Sequence, residues 1–344
     1  MIVRSKAPLR LGLAGGGTDV SPYSDEYGGC VLNVTINMFA YCTIEELADG
    51  NIELEAKDIS RSVKSTSETG FDLSETLVLH KAVYNRVVRD FNAGKPLSVR
   101  VTTHSDAPPG SGLGSSSTMV VAMLAAYREL LGFTLSEYDL AHLAYVIERI
   151  DCGLAGGKQD QYAAVFGGFN FVEFYKNDRV IVNPLRIRRH IENELQHRLV
   201  LYFTGVSRES AKIIDEQIKT VRGTDTRSDA LEAMHEVKRF SFDMKERLLK
   251  GDLDGVVRQF AGSWEAKKRL ASSISNAHID SIVSTALKHG AEAVKISGAG
   301  GGGFMMLFID PKRRLDVTQA LSGFSGEMRR FEFSHDGVEA WTVR

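Results

Sequence analysis

The stretch PPGSGLGSSS, residues 108–117, has three glycines and four serines directly before an apolar segment. Residues this small cannot build a core, but glycine lets a backbone turn tightly and approach a ligand closely. Where such a run meets the start of a helix, free backbone N–H groups and the positive end of the helix dipole suit an anion such as phosphate. A serine-capped turn is the simpler alternative. The preceding proline pair, the alternating glycines and the triple serine favour a phosphate loop.

Length and charge limit what such a loop can serve. The 344 residues suit two domains of roughly 150 residues each, and we place them at 1–190 and 191–344, with the boundary in a charged, apolar-poor stretch. The formal net charge of −2 offers no general attraction for nucleic acid or an anionic membrane. Three scattered cysteines indicate neither a disulfide framework nor a zinc site. With no signal-peptide or membrane-span pattern, we expect a cytoplasmic protein without nucleic-acid or membrane partners.

Hydrophobic periodicity predicts an α+β fold in both halves. The first hundred residues alternate and are rich in β-branched and aromatic residues, which predicts strands and one helix near 74–92. A helix is predicted to begin within the serines at 115–117 and to end at Gly132, and Ser136 begins the next one. The second half predicts long helices before a final group of strands. Strands grouped with helices, without strict alternation, are typical of α+β proteins.

Better-known motifs do not account for the glycines. The chain has no G-x-x-x-x-G-K-[ST] sequence, which excludes a Walker loop. A G-x-G-x-x-G match at Gly298, Gly300 and Gly303 is followed by a strand-like segment and by too little chain for a dinucleotide-binding unit. The serines of the loop also lack the G-x-S-x-G pattern of a hydrolase. The loop at 108–117 therefore belongs to another kind of phosphate-binding protein.

Three stretches, in order, resemble the motifs of the GHMP small-molecule kinases, which include galactokinase, homoserine kinase, mevalonate kinase and phosphomevalonate kinase. They are APLRLGLAGGGTD at 7–19, PPGSGLGSSS at 108–117 and KISGAGGGGFMMLF at 295–308. The resemblance implies an α+β, two-domain fold, with an N-terminal domain like domain 2 of ribosomal protein S5, a ferredoxin-like C-terminal domain and an active site between them. The glycines at 298–303 would either close over the nucleotide or buttress the phosphate loop.

The first motif also separates branches of this family. The chain reads GLAGGGTDVSPYSDEYGG where galactokinases have a glutamate-histidine pair. This form, together with DCGLAGGKQDQYAAVFGGFNFVEF at 151–174, resembles the D-glycero-D-manno-heptose 7-phosphate kinases. The resemblance implies phosphorylation of the anomeric hydroxyl by ATP, giving a 1,7-bisphosphate for surface-polysaccharide or nucleotide-heptose synthesis. An anomeric kinase of an unphosphorylated sugar such as fucose is one alternative, and a non-catalytic nucleotide- or RNA-binding module is another.

The resemblance also assigns catalytic and nucleotide-binding roles. Ser116 and Glu148 would bind Mg²⁺, since a hard cation prefers hydroxyl, carboxylate, phosphate and water oxygens. Asp160 would accept the proton of the attacking hydroxyl, and Arg10 would neutralise charge between Asp160 and the transferring phosphate. Taken alone, the same charges also suit a solvated helix face, a helix cap and a surface strand. The phosphates of ATP would lie on a loop formed by Pro109, Gly110, Ser111, Gly112, Leu113, Gly114, Ser115, Ser116 and Ser117.

The sugar would contact the end of the first motif and basic residues beyond it. The resemblance places Gly17, Thr18 and Asp19 against the sugar, although an aspartate after GGGT also suits a turn. A phosphate on the substrate needs a basic partner, for which Lys158 and Arg208 are the candidates. Each could instead be a solvated charge at a helix end. The predicted ligands are thus a sugar phosphate, ATP and Mg²⁺, and the oligomeric state is open, a homodimer being one possible state.

Overall fold

A computed structural model describes residues 1–66, 70–207, 210–222 and 227–344. Its strands are β1 (Ile2–Ala14), β2 (Gly29–Glu46), β3 (Asn51–Ala56), β4 (Arg61–Thr66), β5 (Val99–Ser105), β6 (Phe169–Phe174), β7 (Val180–Pro184), β8 (Leu199–Phe203), β9 (Ala291–Ile296), β10 (Phe304–Ile309), β11 (Glu327–Arg329) and β12 (Glu339–Thr342). Its α-helices are α1 (Tyr23–Tyr27), α2 (Val78–Phe91), α3 (Ser115–Leu131), α4 (Glu137–Tyr145), α5 (Gln159–Phe166), α6 (Arg189–Arg198), α7 (Ser210–Arg222), α8 (Arg227–Lys250), α9 (Leu253–Lys268), α10 (Ala277–Lys288) and α11 (Arg314–Leu321). Shorter turns are a π-helix at Val146–Asp151 and 3-10 helices at Ser272–Ile274 and Pro311–Arg313. None of these described helices has the length and hydropathy of a membrane span.

The first sheet is organised by β2, which is long enough to pair with β6 along its first half and with β5 along its second. In the described part of the chain this sheet has the order β12-β1-β2-β5-β3-β4, with β6 and β7 added beside β2. Its strands are antiparallel except for the parallel pair β3 and β5. Helix α3 packs on β1 and β2, and almost every residue from Ser117 to Tyr127 is buried. The loop at 108–117 therefore leads into the first turn of a buried helix.

The second sheet is antiparallel and has the order β11-β8-β10-β9. Helices separate β8 from β9, a tight connection joins β9 to β10, and α11 leads to β11. This βαββαβ chain order is that of a ferredoxin-like unit. It confirms the C-terminal fold that the sequence resemblance implies.

The predicted helices around the phosphate loop are confirmed, with one departure. Helix α3 begins at Ser115 and ends before Gly132, whose φ of 68° closes the last turn onto the Arg128 carbonyl. Ser136 caps α4, because its hydroxyl accepts a hydrogen bond from Asp139 N at 3.1 Å. The segment after α4, which periodicity predicts as more of the same helix, instead widens into the π-helix. A π-helical turn changes the direction of its side chains and often occurs at functional sites.

The chain crosses the predicted boundary at residue 190 in two ways. Strand β12 returns to the first sheet and pairs with β1, so the last residues do not stay with the C-terminal unit. One apolar cluster also joins the halves, since Leu9 and Leu11 of β1 pack with Phe260 of α9 and Met306 of β10. The two sheets therefore share a core, and the loops at their junction are held by it on both sides.

Candidate active site

The phosphate loop rests against the last glycine loop. The Ser111 carbonyl accepts a hydrogen bond from Phe304 N at 2.8 Å, and Ser297 Oγ donates to the Gly112 carbonyl at 2.9 Å. A Cβ atom at Gly112 would overlap the Ser297 carbonyl oxygen, and one at Gly303 would overlap the Ser111 carbonyl oxygen. The loops can approach this closely only because both positions are glycine. Of the two roles expected for the glycines at 298–303, the structure shows the second, in which they support the loop at 108–117.

The start of α3 is left without a side-chain cap. Its N-cap residue is Gly114, with φ 82°, and within the described part of the chain no side chain bonds the first N–H groups of the helix. Such N–H groups bind an anion well, because they are unpaired and lie at the positive end of the helix dipole. Ser116 is exposed beside them, whereas Ser117 is buried. Leu113 is buried in the shared core and contributes its backbone, whose carbonyl accepts from Arg10 N at 3.1 Å.

Arg10 and Asp160 are paired beside this loop, although 150 positions separate them in the sequence. Arg10 Nε lies 2.7 Å and Nη2 lies 2.6 Å from Asp160 Oδ1, and Arg10 Nη1 donates to the Gly112 carbonyl at 2.7 Å. The Arg10 residue is buried, whereas the Asp160 side chain is 19% exposed, so the carboxylate of the pair stays accessible. Gly114 makes room for it, since a Cβ there would lie 3.1 Å from Asp160 Cγ. The structure thus brings the two predicted catalytic residues together at the phosphate loop.

Glu148 lies in the π-helix and is fully buried against the serines of α3. Its Oε1 accepts from Ser116 Oγ at 2.6 Å, and its Oε2 accepts from Ser117 Oγ at 2.5 Å and from Gln161 Nε2 at 2.7 Å. Arg149 Nη1 lies 3.3 Å from Oε1. This carboxylate is held by hydrogen bonds on both oxygens, and the predicted neighbours Ser116 and Glu148 are in contact.

The donor set at Ser116 and Glu148 fits Mg²⁺ chemically. A hydroxyl and a carboxylate are hard oxygen ligands, and Mg²⁺ commonly takes one or two protein ligands and completes its shell with phosphate and water. Gln161 Oε1 is a further buried oxygen with no partner among the described residues. The described residues contain no cluster of three or more His, Cys, Asp or Glu side chains, so a cage made of protein ligands alone is absent there.

The loop after β1 holds Asp19 at the other side of the Arg10–Asp160 pair. Asp19 is 1% exposed, and its carboxylate accepts from the backbone N of Gly17 and of Gln159 at 3.1 Å each and from Gln159 Nε2 at 3.2 Å. Gly157 has no room for a side chain because Asp19 Oδ2 occupies that position. Asp19 therefore ties the first motif to the start of α5.

The side chain of Thr18, next to Asp19, is hydrogen-bonded within its own loop and to β2. Its side chain is fully buried, and its hydroxyl donates toward the carbonyls of Gly15 at 2.8 Å and Cys30 at 2.9 Å while accepting from Cys30 N. Because the hydroxyl is occupied on both sides, it staples the loop to β2. The predicted contact of Thr18 with a sugar stays a prediction.

Of the two residues predicted to bind a substrate phosphate, Lys158 and Arg208, the structure describes only Lys158. Lys158 is 4% exposed, its ammonium lies 2.5 Å from Asp178 Oδ1, and it also faces the ring of Tyr145. This lysine is thus already paired with a carboxylate, and binding a phosphate would require exchange of that partner. Arg208 lies outside the described residues.

Two buried lysines near the site escaped functional assignment from the sequence. Lys267 Nζ donates to the Gly298 carbonyl at 2.5 Å, and Lys295 Nζ donates to the Leu13 carbonyl at 2.8 Å. The pKa of Lys267 is lowered to about 8, chiefly by burial and also by Arg10, while the Asp19 and Asp160 carboxylates act in the opposite direction. Burial likewise lowers the pKa of Lys295 well below its usual value.

A helical signal could have marked Lys267. Phe260, Trp264 and Lys267 follow one another at spacings of four and three, which places the lysine on the buried face of α9. A lysine on an apolar helix face needs a polar partner inside the protein. Ser297 carries no such signal, because its contact with Gly112 depends on a loop 185 positions away in the chain.

Comparison with known proteins agrees with this geometry. Residues 78–168 match the GHMP kinases N terminal domain and residues 244–324 match the GHMP kinases C terminal domain. The chain is 46% identical, over 99% of both sequences, to a D-glycero-alpha-D-manno-heptose 7-phosphate kinase of Campylobacter jejuni. It is 27% identical to an L-fucokinase/L-fucose-1-P guanylyltransferase of Bacteroides fragilis, over 93% of this chain and 36% of that protein.

A solved structure extends the likeness to the whole fold. The crystal structure of a D-glycero-D-manno-heptose 1-phosphate kinase from Bacteroides thetaiotaomicron has a TM-score of 0.85, with 46% identity and 99% of each chain covered. The three glycine-rich motifs, the ferredoxin-like unit and these full-length matches all point the same way. The chain belongs to the GHMP kinase family and has its two-domain α+β fold.

Proposed function

We propose that this protein is an ATP-dependent kinase that phosphorylates the anomeric hydroxyl of D-glycero-D-manno-heptose 7-phosphate, giving the 1,7-bisphosphate and ADP. The observation that carries the proposal is the full-length, 46% identity with a protein named a heptose 7-phosphate kinase. The solved relative is named a heptose 1-phosphate kinase. The two names agree on the heptose and differ in the position of the phosphate, and the proposal follows the 7-phosphate named for the Campylobacter jejuni relative.

The Arg10–Asp160 pair supplies the chemistry of the acceptor. The anomeric hydroxyl oxygen attacks the γ-phosphorus of ATP, the bond from that phosphorus to the β-γ bridging oxygen breaks, and ADP leaves. The hydroxyl proton passes to Asp160. Arg10 engages Asp160 Oδ1 only, so Oδ2 is the oxygen proposed to take the proton. Arg10 also neutralises negative charge that develops between the carboxylate and the phosphoryl group.

The uncapped start of α3 and the loop at 109–117 are proposed to hold the phosphates of ATP. Their backbone N–H groups need no reorganisation when an anion arrives, which is why they stabilise developing charge effectively. Ser116 and Glu148 would hold Mg²⁺, which when bound neutralises phosphate charge. In the protein alone, the hydrogen bonds to Ser117 and Gln161 keep the Glu148 carboxylate aimed at Ser116.

The sugar end of the proposal rests on Gly17, Asp19 and the basic candidates. Asp19 is buried and accepts hydrogen bonds, as a residue that orders sugar hydroxyls must. Lys158, one of the two residues proposed to bind the 7-phosphate, is already paired with Asp178. The alternative of an unphosphorylated sugar substrate therefore stays open. We therefore expect Arg208→Met to raise KM for the phosphorylated sugar and to leave KM for the plain sugar unchanged. Equal effects on both sugars would show that Arg208 does not bind the substrate phosphate.

The proposal is tested by ATP turnover on a matched panel of acceptors. The panel holds heptose 7-phosphate, the same heptose without phosphate, fucose, galactose and mevalonate, with phosphorus NMR of each product. Turnover confined to the 7-phosphate sugar, with a new anomeric phosphate signal, is expected. Turnover of plain sugars would overturn the proposed substrate but would still support a sugar kinase activity.

A binding control separates catalysis from a non-catalytic module. Magnesium-ATP is expected to raise the melting temperature, and an oligonucleotide of matched charge is not. A rise with ATP but no turnover of any acceptor would favour a nucleotide-binding module. The proposed ligands are therefore a sugar phosphate, ATP and Mg²⁺, and the proposed location is the cytoplasm, with which the free thiols of Cys30, Cys42 and Cys152 agree.

A further inference from the structure

A buried cluster lies on the sugar side of the Arg10–Asp160 pair and is not used by the chemistry above. Lys267, from α9 of the C-terminal half, is 4% exposed and sits beside Gly16, since a Cβ on that glycine would lie 3.6 Å from Lys267 Nζ and 3.6 Å from Gln159 Nε2. The carboxylates of Asp19 and Asp160 act on it electrostatically. An ammonium, two carboxylates and a carboxamide thus meet where both halves of the chain come together.

Lys267 and Gln159 keep hydrogen-bonding capacity within this cluster, although Gln159 Nε2 already donates to Asp19. Among the residues that the structure describes, Lys267 forms no ion pair, and its one hydrogen bond goes to the Gly298 carbonyl. An ammonium has three N–H donors, so two of them stay available. Gln159 Oε1 is buried and has no partner within the described residues. Buried polar groups are normally satisfied, so a cluster with spare donors and a spare acceptor indicates a polar ligand.

The mixture of charges identifies the chemistry of that ligand. A phosphate only accepts hydrogen bonds, and the carboxylates of Asp19 and Asp160 would repel it. A hydroxyl both donates and accepts, so one hydroxyl can accept from Lys267 and donate to a neighbouring carboxylate. The glycines at positions 12 and 16 leave the space above the Gln159 carboxamide free of side chains. A polyol, such as a sugar ring, fits these donors and acceptors.

We propose that Lys267 is a substrate-binding and specificity-determining residue, whose ammonium binds a hydroxyl of the sugar ring next to the one that is phosphorylated. Because it comes from α9, this contact joins the C-terminal half to a site otherwise formed by β1, α3 and α5. The inference deepens the proposed function and rests on it for the statement that the substrate is a sugar. The role of Lys267 is the same for any sugar with a hydroxyl at that position.

The first test pairs Lys267→Met with Lys268→Met. Lys268 is the adjacent residue, is partly exposed and is ion-paired with Glu265, so its substitution controls for loss of a positive charge on α9. Lys267→Met is expected to weaken sugar binding by about 30-fold or more, the usual scale for a lost buried hydrogen bond to a charged group, with ATP binding unchanged. Lys268→Met is expected to change neither. Calorimetric binding of sugar and of ATP, with circular dichroism for the fold, measures both.

The second test removes the partner instead of the residue. Deoxy analogues of the sugar, each lacking one ring hydroxyl, are bound to wild type and to Lys267→Met. One analogue is expected to bind wild type about as weakly as the full sugar binds the variant, with little further loss in the variant, because the two changes remove the same contact. Fully additive losses for every analogue would overturn the proposal.

The third test uses the wild-type protein alone and so stands even if the variant does not fold. The groups that face Lys267 are Arg10 of β1, Asp19 of the following loop, Asp160 of α5 and Lys295 of β9. With a pKa of about 8, Lys267 loses its positive charge and one of its three N–H donors as pH rises through that value, which weakens its hydrogen bond to a sugar hydroxyl. KM for the sugar is expected to rise above about pH 8 while KM for ATP does not. A sugar KM that stays flat to pH 9.5 would contradict the inference.

These outcomes separate the inference from the proposed function. If wild type turns over a different sugar, the proposed substrate fails, and the same three tests on that sugar decide the role of Lys267. If heptose 7-phosphate is the substrate and the Lys267 and Lys268 variants bind it equally, the function stands and the inference fails.

Discussion

The two sides of the Arg10–Asp160 pair differ in how completely one buried charged side chain on each side, Glu148 or Lys267, is hydrogen-bonded within the protein. On the side of α3, Glu148 accepts hydrogen bonds on both oxygens from Ser116, Ser117 and Gln161. On the side of the first motif, Lys267 keeps spare donors among the described residues. The Glu148 carboxylate is thus held in place before any ligand arrives, whereas the Lys267 ammonium has donors left for one.

This difference agrees with what each side is proposed to bind. Charge stabilisation on a phosphoryl group is most effective when the dipoles are fixed in advance, because no reorganisation is then needed. Recognition of a particular polyol gains more from buried groups that only the right hydroxyls can satisfy, since a wrong sugar leaves them unpaired. The comparison therefore predicts losses of rate from changes on one side and losses of selectivity from changes on the other.

The largest effect is expected at the residue that both sides share. Asp160→Asn removes the proton acceptor while keeping the size of the side chain, and it is expected to lower kcat by about 1,000-fold, with little change in ATP affinity. Steady-state kinetics and ATP-binding titrations measure the two quantities. A fall in kcat of less than tenfold would show that Asp160 only orients the hydroxyl.

A smaller loss of rate is expected on the α3 side. Glu148→Gln keeps the shape but turns one oxygen into a donor that faces serine hydroxyls, and it removes the charge proposed to hold Mg²⁺. We expect kcat to fall by about 100-fold and the Mg²⁺ concentration for half-maximal rate to rise. Glu137→Gln, on the exposed start of α4, is the matched control and is expected to be silent. An unchanged Mg²⁺ requirement would argue against Glu148 as a ligand.

The buttress between the glycine loops is tested by a pair of glycine substitutions. Gly112→Ala places a Cβ into the Ser297 carbonyl, whereas Gly132→Ala has a similar φ and open space around it. We expect Gly112→Ala to lower the free energy of unfolding by about 2 kcal/mol and Gly132→Ala by about 1 kcal/mol. Urea unfolding measures both. Equal values would mean that the loops separate at little cost.

The smallest effect is expected at Lys158. Its ammonium is already paired with Asp178, so a gain from binding a substrate phosphate is offset by the loss of that partner. Lys158→Met is expected to raise KM for heptose 7-phosphate by about fivefold and to leave KM for the plain heptose unchanged. A rise of the same size for both sugars would reassign Lys158 to holding the start of α5.

Much of this site could be predicted from short stretches of sequence. The run at 108–117 predicts a loop and a helix start, and both are present because glycine tolerates positive φ and Ser115 begins a helix that the core then buries. The π-helix that aims Glu148 was missed, since periodicity predicts a continuous helix there. The hydrogen bonds between the Thr18 hydroxyl and Cys30 were not predicted either, because Cys30 lies 12 positions further along the chain, on β2.

The sequence by itself determined the kinds of element, the places where the backbone must turn and the residues able to carry the chemistry, because these depend on local sterics, caps and periodicity. Only the tertiary structure decided which of these residues meet. Arg10 reaches Asp160 across 150 positions, and Ser297 reaches Gly112 across 185, through two sheets that share one core. Such contacts follow from the packing of distant apolar faces, and nothing in the local sequence of a loop specifies the loop that will lie against it.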